Sequence, residues 1–584
     1  MLPYMSDKIS KKALGITKFS GLNQTQSRDE NELVSSVNMS AKDYPCISVR
    51  KERQAEACCN DNINGASYYN GLFYTATPKD SQQCYIYHNS EKTALPGDNA
   101  YDTRYFAGMS DNILIMPDKV MYTTSSKTVK ALTDSQSFDI QSAIARANSE
   151  MPGISSTVPD GVAVLASTSI QATTLTYGVY TSFCFCPSDI NEGEFVHISM
   201  DVEVEDASGE DYENFKSGLK EGLFVKITSI RKVSHFTLQG DKSDIFFIGF
   251  DEGTINTKDY EKIYITSITI EKRVPDLEHM CTYGNRVWGV EGNSIRCSLL
   301  GDPSIWYDFS ADTFGTLPSS CYSVEVDSGG KFTAICAYNG NILAFKEDCV
   351  HKIYGSEPEN YTLYTQSMIG VQMGAHNTLV NINGVLYYKG TDGFYAYSGG
   401  LPVCISDKLS NNFEAIASGT DGKNYYTIIR EDGVQKILVY YTDQKLWHKE
   451  NADNEFLFVE SANNLYSVSP NQITNMASDS CAQNTEWSFE YEFDEGTFNC
   501  KRYSRLLIKY SLDKGGYFTV KTTCDDNIPL VYINGDFEPA KNGESIIILP
   551  QIKCTKIRVK FEGKGNFTLK NLTREYFLLK EGGN

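Results

Sequence analysis

The sequence is constrained most by a repeated unit in which a Gly/Asn turn leads into an aromatic strand. The clearest copy starts at Gly284 and Asn285, runs through Arg286-Val287-Trp288-Gly289, and turns back near Gly292. Gly, Asn and Asp adopt positive φ angles at little cost, so such residues between β-rich runs are typical of hairpins. The unit therefore predicts consecutive antiparallel hairpins.

The same unit recurs along the chain with different side chains. Copies lie at 337–345 around Gly340, at 380–388 around Gly384, and at 391–400, where Gly393 precedes an aromatic run with Tyr395. Weaker copies lie at 69–74, 420–426 and 461–466. Equivalent turns are roughly 40 to 55 residues apart, the spacing of four-stranded blades. We therefore predict a β-propeller of about seven blades.

A second motif supports this interpretation by combining a turn with a large aromatic side chain. Asp302 precedes Pro303 in the run Gly301-Asp302-Pro303, and Trp306 follows after one further turn residue and Ile305. Asp before Pro is a typical turn former. We expect these residues to define blades and turns: Gly284, Asn285, Trp288, Gly292, Gly301, Asp302, Pro303, Trp306, Gly340, Gly384, Gly393, Tyr395, Gly399 and Gly400.

Length and composition indicate an all-β protein with more than one domain. The 584 residues exceed the single-core limit of about 250 to 300 residues. The 37 Tyr and 29 Phe favour pleated, half-buried strands. Two segments have helical periodicity, 139–150 and 211–221. We expect five parts, which are an extended N-terminal arm (1–60), the first propeller blades (61–133), an inserted small β-domain with short helices (134–275), the remaining blades (276–480), and a C-terminal β-sandwich (481–584).

The charge and the hydrophobicity of the chain restrict its partners. The net charge is −21, and no basic cluster exceeds a pair, so tight DNA binding through phosphates is disfavoured. Transient, non-specific contact with DNA stays open, because an acidic wall repels the backbone and lets it slide. No apolar run is long enough for a membrane span, and no secretory signal begins the chain, which predicts assembly in a cytoplasm.

Catalytic and metal-binding patterns are absent from the sequence, so we expect no catalytic residue, no cofactor and no metal. The 16 cysteines include no CxxC pair and are expected to be buried, reduced thiols. His351 and His376 are expected to pack in a strand or loop, because no HExxH spacing occurs. Some propellers are glycosidases, which need two carboxylates at the sugar site. Six acidic residues cluster in this sequence and could supply such a pair, but most of them are explained more simply as turn residues. They are Asp276, Glu278, Glu291, Asp302, Asp308 and Asp312.

Taken together and in order, several motifs resemble one known family, the tail nozzle proteins of short-tailed bacteriophages. These are also called tail hub or packaged-DNA stabilisation proteins. The resemblance covers nearly the whole chain except 134–275. Its motifs are Phe19-Ser20-Gly21-Leu22-Asn23, Asn38-Met39-Ser40, Tyr44-Pro45, the runs at 284–289 and 301–306, Phe345-Lys346-Glu347-Asp348, and the runs at 390–397, 557–565 and 572–576.

The resemblance implies a structural virion protein. Such a protein forms a homo-oligomeric ring, expected to be a hexamer, docked below the portal and adaptor and against other tail proteins. The ring extends the DNA channel, retains the packaged genome and opens for DNA ejection. The resemblance transfers no catalytic residue, and it leaves the DNA-facing residues unknown. It places the protein in the virion tail, with the host cytoplasm as the site of assembly.

One alternative belongs to a different functional class, a carbohydrate-binding adhesin that recognises a receptor at the phage tail. Exposed aromatic side chains could stack on sugars, and the tryptophans available are Trp288, Trp306, Trp447 and Trp487. However, Trp487 alternates with Phe489, Tyr491 and Phe493 along one strand face. That pattern favours core packing over sugar binding.

Overall fold

The computed structural model describes most of the chain outside the segment 140–262. The described residues are 11–89, 91–97, 103–139, 263–309, 311–312, 315–410, 413–461, 464–476, 478, 483–525, 527–533, 543–550 and 552–579, with short stretches at 170–171, 182–185, 195–204, 217, 220–221, 223–226, 231–232 and 244–249.

Antiparallel strands make up almost all of the regular structure, which confirms the all-β prediction. Apart from strands, the described ranges contain two short 3-10 turns, Pro358–Asn360 and His376–Thr378, and three helical residues at 217 and 220–221. The predicted helix at 139–150 is wrong at its first residue, because Asp139 ends the strand Asp134–Asp139, and its remainder lies outside the described residues. The three helical residues lie within the predicted helix at 211–221, and the rest of that segment is outside the described residues.

Seven four-stranded antiparallel sheets occur in the described part of the chain, here called the first to seventh sheets. The first three contain the strands Asn62–Tyr68, Leu72–Thr77, Tyr85–His88 and Glu91–Ala94; Tyr105–Met109, Asn112–Met116, Val120–Thr123 and Thr128–Ala131; and His279–Tyr283, Arg286–Glu291, Ser294–Cys297 and Tyr322–Glu325. A small hairpin, Ala311–Asp312 with Gly315–Thr316, precedes the last of these strands.

The other four sheets follow the same hairpin order. Their strands are Ala334–Tyr338, Asn341–Phe345, Cys349–Tyr354 and Thr362–Ser367; Val380–Ile382, Val385–Lys389, Phe394–Tyr397 and Val403–Cys404; Phe413–Thr420, Asn424–Glu431, Val434–Tyr441 and Leu446–Asn451; and Leu457–Glu460, Leu465–Ser469 and Gln472–Asn475, which the early strand Gln54–Cys58 completes.

Hydrophobic clusters join each of these sheets to the next. Trp288 of the third sheet packs with Ile342 of the fourth, for example, in one buried cluster. Similar clusters join the other neighbours. A further cluster holds Val468 of the seventh sheet and Ala76 of the first. Burial of large apolar side chains between sheets is therefore what orders them relative to one another.

Two larger sheets pack on a common core and form a unit here called the sandwich. Its core includes the predicted face of Trp487, Phe489, Tyr491 and Phe493, all buried. The five-stranded sheet contains Leu33–Val37, Glu486–Phe493, Ile557–Lys564, Tyr517–Cys524 and Leu530–Ile533, and the seven-stranded sheet contains Met39–Ser40, Ile47–Val49, Phe567–Leu578, Lys501–Leu512, Glu544–Ile548, Lys11–Ile16 and Lys553–Cys554.

The N-terminal segment is not an extended arm, as the sequence had suggested, but contributes strands to three sheets. Lys11–Ile16 pairs with Phe567–Leu578, and Leu33–Val37 pairs with Glu486–Phe493. Gln54–Cys58 then pairs with Gln472–Asn475 of the seventh sheet. Strands between residues 11 and 58 thus complete sheets that are otherwise made by the last third of the chain.

Main-chain hydrogen bonds attach the sandwich to the sixth sheet. Leu22 donates its N–H to the Trp447 carbonyl at 2.7 Å, and Asn38 donates to the Lys449 carbonyl at 2.9 Å. The Asn38 side chain in turn accepts the Asn451 N–H at 3.0 Å. Asn38 has a φ of 59°, a conformation that Asn tolerates better than most residues.

The described strands of the insert pair only with one another. One sheet contains Asp134–Asp139, Ile263–Lys272, Phe195–Val204, Leu223–Lys226 and Ile170–Gln171, and a second contains Ser182–Phe185, Asp244–Gly249 and Arg231–Lys232. Asp134 is paired with Lys272. The chain therefore enters and leaves the insert at adjacent points.

Candidate functional site

Three aromatic side chains from distant parts of the chain meet at one point. Tyr105 and His279 are the first residues of the first strands of the second and third sheets, and His376 lies in the 3-10 turn that precedes the fifth sheet. The centre of the His376 ring lies 4.6 Å from that of His279 and 5.3 Å from that of Tyr105. We call these three residues the aromatic cluster.

Both imidazoles of the aromatic cluster are held in the neutral form. Burial, with a smaller contribution from His376, lowers the pKa of His279 to about 3. Burial alone lowers the pKa of His376 to about 4. His279 Nδ1 and His376 Nε2 are buried and have no hydrogen-bond partner among the described residues. Protonating either ring would place a charge where little solvent and no described acceptor can stabilise it.

The turn that carries His376 is fixed by hydrogen bonds to the fifth and sixth sheets. Thr378 accepts the Lys389 N–H on its Oγ1 at 3.0 Å, and its carbonyl accepts the Tyr425 hydroxyl at 2.8 Å. Gln372 donates its N–H to the Lys389 carbonyl and accepts Lys389 Nζ, at 2.9 and 3.0 Å. The segment 372–378 therefore holds His376 in a defined position rather than on a free loop.

A cleft of about 450 Å³ lies beside this segment. Its charged groups are Glu414 and Arg430, which bind each other at 2.9 Å. Such an exposed pair leaves little net charge to attract an ionic ligand. The residues lining the cleft are Gln372, Met373, Gly374, Ala375, Phe413, Glu414, Ala415 and Arg430.

Among the described residues, no group of three or more His, Cys, Asp or Glu side chains is arranged to hold a metal ion. The aromatic cluster offers two imidazoles and a phenol. These three side chains can fill space, and the imidazoles stay neutral.

The acids weighed as a glycosidase pair are partly brought together. Asp276 donates its backbone N–H to Glu291 at 2.7 Å. Each carboxylate has a cationic partner, because Asp276 binds Lys119 at 2.5 Å and Glu291 binds Arg296 at 2.9 Å. Asp302 accepts the N–H and the hydroxyl of Ser304, as a turn residue does.

The turn residues singled out in the sequence lie in hairpins and loops away from the aromatic cluster. Asn285 has a φ of 55°, and the left-handed region also holds Gly284, Gly292, Gly301, Gly340, Gly384 and Gly399. Pro303 accepts the indole N–H of Trp306 at 2.8 Å. Tyr395 is buried, and its hydroxyl donates to Asp392 at 2.6 Å.

Gly393 requires a correction, because its φ angle is not positive as its turn context had suggested. The restriction there is steric. An added Cβ would lie 2.7 Å from Ser406 Oγ and 3.3 Å from Cys404 Sγ. Gly400 has neither restriction, since its φ is not positive and no atom lies within 4 Å of a built Cβ.

The expectation of burial holds for all of the tryptophans but for only some of the cysteines. All four tryptophans are buried. The 13 cysteines whose side chains are described are free, but the expectation that they are buried is wrong for Cys58, Cys404 and Cys500, which are exposed. Cys186 of the pair Cys184 and Cys186 lies outside the described residues. A strand end or an outer edge strand exposes a side chain whatever its hydrophobicity.

Sequence reasoning missed the aromatic cluster. His376 was expected to pack in a loop, but neither of its partners, Tyr105 and His279, stands in a recognisable motif. The contact joins residues far apart in sequence, so no local spacing could reveal it.

Comparison with known proteins leaves the chain without a family. No family model matches it, and no curated protein matches it. Similar solved structures include a catalytically inactive virginiamycin B lyase from Staphylococcus aureus (8% identity, 73% of this chain, 98% of the other, TM-score 0.31). A Pyrococcus horikoshii acylaminoacyl peptidase is 9% identical, with 75% of this chain and 59% of the other covered and a TM-score of 0.27. An exo-β-1,3-galactanase from Phanerochaete chrysosporium is 8% identical, with 51% of this chain and 95% of the other covered and a TM-score of 0.21. At these TM-scores the likenesses carry no functional argument. A search of the described residues finds no helix with the length and apolarity of a membrane span.

Proposed function

We propose that the seven sheets are the blades of a closed β-propeller, and that the protein is a structural subunit of the tail nozzle of a short-tailed bacteriophage. In this function a ring of subunits extends the DNA channel below the portal and adaptor, retains the packaged genome and opens for ejection. The observation that carries the proposal is that strands between residues 11 and 58 pair with strands of the seventh sheet and of the sandwich.

Closure of the propeller is supported at the junction between the seventh and first sheets. The first strand of the seventh sheet, Leu457–Glu460, contacts the first strand of the first sheet, Asn62–Tyr68. Gln54–Cys58 supplies the outer strand of the seventh sheet just before the chain enters the first. Completing one blade with strands from both ends of the repeat removes a free edge and links those ends.

The same pairing of N-terminal strands with C-terminal sheets suits a subunit that must resist mechanical force. Lys11–Ile16 and Leu33–Val37 lie in different sheets of the sandwich, and Gln54–Cys58 lies in the seventh sheet. Pulling on the sandwich or on the sheets would have to break these ladders together. A protein that holds DNA under pressure needs such cooperative resistance.

The aromatic cluster bears on where DNA would pass. In a ring of seven blades, the second and fifth lie on opposite sides, so the turn of His376 spans the axis to reach Tyr105. Ring centres 4.6 and 5.3 Å apart leave no room for a duplex whose major groove alone is about 12 Å wide. The conduit of a nozzle would therefore run between subunits, along their acidic surface.

An oligomer is supported by exposed aliphatic side chains on the sandwich. Ile546 and Ile548 point outward from Glu544–Ile548, which pairs on one side with Lys501–Leu512. Leu530 and Val531 are also exposed, on a strand of the other sheet. On a chain with a net charge of −21, neutral patches are where a second copy can approach without repulsion. We assign the patch of Ile546 and Ile548 to a neighbouring subunit.

The adhesin is less well supported. The tryptophans that could stack on a sugar are buried in cores, and the cleft beside the aromatic cluster has one aromatic residue in its lining, Phe413, next to Met373 and an ion pair.

The deciding experiment is immunogold electron microscopy of phage particles from the source culture, with antibody raised against the purified chain. Label at the tail axis beside the capsid vertex is the expected result. Label on peripheral fibres alone would favour the adhesin, and absence from particles would overturn a virion function. Subunit number is read from averaged images of the same particles.

The patch is tested separately by Ile546→Asp and Ile548→Asp, with Val434→Asp as the control on an exposed strand of the sixth sheet. Only the first two substitutions should reduce ring assembly, measured by sedimentation velocity of the purified protein. Equal effects of all three would contradict the assignment.

A further inference from the structure

We infer that Cys524 and Cys554 form a redox-active pair that closes to a disulfide across one corner of the sandwich. Cys524 ends the strand Tyr517–Cys524 of the five-stranded sheet, and Cys554 ends Lys553–Cys554 of the seven-stranded sheet. Cys554 is completely buried in the common core, and Cys524 packs against that core. The two thiols lie close enough for each to shift the pKa of the other. A disulfide here would join the two sheets covalently.

The neighbouring residues hold the two cysteines in register. The Asp525 carboxylate accepts the backbone N–H groups of Thr555 at 2.9 Å and Lys556 at 2.9 Å, and the Thr555 hydroxyl at 2.6 Å. Asp525 also donates its own N–H to the Lys556 carbonyl at 3.3 Å. The residues that follow Cys524 are thus hydrogen-bonded to the residues that follow Cys554. These bonds hold the two cysteines near each other at one corner of the sandwich.

The two thiols differ in a way that assigns them different steps. Cys524 is partly exposed, and the neighbouring Cys554 thiol lowers its pKa, which favours its thiolate. Cys554 is shielded, and the Cys524 thiol and burial raise its pKa. Accessible, low-pKa thiols react first with oxidants, and a buried neighbour then resolves the product. Cys524 is therefore the attacking thiol and Cys554 the resolving thiol.

A positive charge stands beside the resolving thiol. Lys501 is the direct ladder partner of Cys554 and is completely buried. Its ammonium donates to the carbonyls of Thr497 and Thr555, and it favours the thiolate form of Cys554. Direct partners on antiparallel strands project from the same face of a sheet. The ammonium therefore stabilises the thiolate that forms in the second step.

The reaction uses a low-molecular-weight disulfide, such as oxidised glutathione, as the oxidant. The Cys524 thiolate attacks one sulfur of that disulfide, the bond between its two sulfurs breaks, and one glutathione leaves as a thiolate that takes a proton from water. Cys554 then loses its proton to water and attacks Cys524 Sγ, which releases the second glutathione. Two protein thiols are oxidised, and one glutathione disulfide is reduced to two thiols. The product would protect the sandwich after the protein leaves a reducing environment.

The test uses the full chain, purified under reducing conditions and then incubated with oxidised glutathione. Remaining thiols are blocked with N-ethylmaleimide, and unreduced proteolytic peptides are identified by mass spectrometry. The expected product joins the peptides of Cys524 and Cys554, with the loss of two hydrogens, and separates on reduction. A mixed disulfide that persists on Cys524 while Cys554 stays free would overturn the proposal, as would modification of Cys58, Cys404 and Cys500 alone.

A second measurement separates the pair from general thiol oxidation. Oxidation should raise the melting temperature of the unaltered protein and of Cys500→Ser, an exposed control on the same sandwich. It should leave that of Cys524→Ser unchanged. The same rise in Cys524→Ser would contradict the proposal. Peptide mapping of the unaltered chain still decides the question if Cys524→Ser does not fold.

Discussion

Arg574 donates two hydrogen bonds to Glu495 inside the sandwich, from Nε at 2.8 Å and from Nη2 at 2.9 Å, and the two side chains are 1% and 0% exposed. The guanidinium also lies 3.8 Å from the centre of the Phe493 ring and binds Glu30 at 2.7 Å. Arg574 therefore links the last long strand, Phe567–Leu578, to a residue of the N-terminal segment. Because the pair is buried, removing either charged side chain would leave the other charge poorly stabilised.

Replacing Glu495 by Gln should lower the free energy of unfolding by about 1.5 to 3 kcal/mol, because Arg574 would lose its fully buried counter-ion and keep only the partly exposed Glu30. The control is Glu544→Gln, which breaks a pair with Lys509 whose side chains are 71% and 52% exposed. That change should cost less than about 1 kcal/mol. Urea denaturation followed by tryptophan fluorescence measures both, and equal losses would show that burial does not set the value of the Arg574 pair.

Stability should fall as the pH is lowered from about 6.5 to 4.5. Burial is the main cause that lowers the pKa of His279 and His448 to about 3, and it lowers that of His376 to about 4. In this range the unfolded chain binds protons at three histidines that the folded chain leaves neutral. These three protons predict a loss of up to roughly 4 kcal/mol per pH unit.

One substitution should make this pH dependence shallower. His376→Gln removes one histidine proton and should reduce the slope by about 1.4 kcal/mol per pH unit. Glu460→Gln is the control, because Glu460 is exposed at the end of its strand, and it should leave the slope nearly unchanged. The slopes come from urea denaturation between pH 4.5 and pH 6.5 at constant ionic strength. A slope that His376→Gln does not alter would assign the acid sensitivity to other groups.

Gly393→Val should destabilise the fifth sheet by about 1 to 3 kcal/mol, since the new side chain would overlap Ser406 and Cys404. The matched control is Gly400→Val, where an added Cβ meets no atom within 4 Å. Thermal melting and limited proteolysis of both variants measure the effect. Indistinguishable melting temperatures would mean that the fifth sheet accommodates the added side chain.

Removal of residues 134–272, with a short Gly/Ser linker in their place, should leave a soluble and cooperatively folded protein, because Val274, which is buried between the second and third sheets, is kept. The ends of the insert already lie side by side, because Asp134 pairs with Lys272, so a short linker costs little in loop closure. A deletion of Gln54–Cys58 serves as a control and should aggregate, because the seventh sheet loses its fourth strand. Aggregation of the first protein would show that the insert completes the core of its neighbours.

Sequence and structure agree where the determining chemistry is local. Asn339 and Asn383 have φ angles of 45° and 51°, and the residue type alone points to such turns. The places where the N-terminal strands pair could not be predicted in this way. Lys11–Ile16 is exposed along five of its six residues, so it has no alternating pattern, and its ladder partner lies at the other end of the chain. The aromatic cluster could not be predicted for the same reason, because its three rings come into contact only when the sheets are packed together.

The pairing of the first strands with the last also fixes the order in which the molecule can be finished. A ribosome releases residues 11–58 early, yet the ladders that receive them belong to residues 472–475, 486–493 and 567–578. Those early strands must wait, unpaired, while the sheets between them form. A chain cut short before residue 567 has no strand to receive Lys11–Ile16. A chain truncated before that strand therefore cannot complete the sandwich.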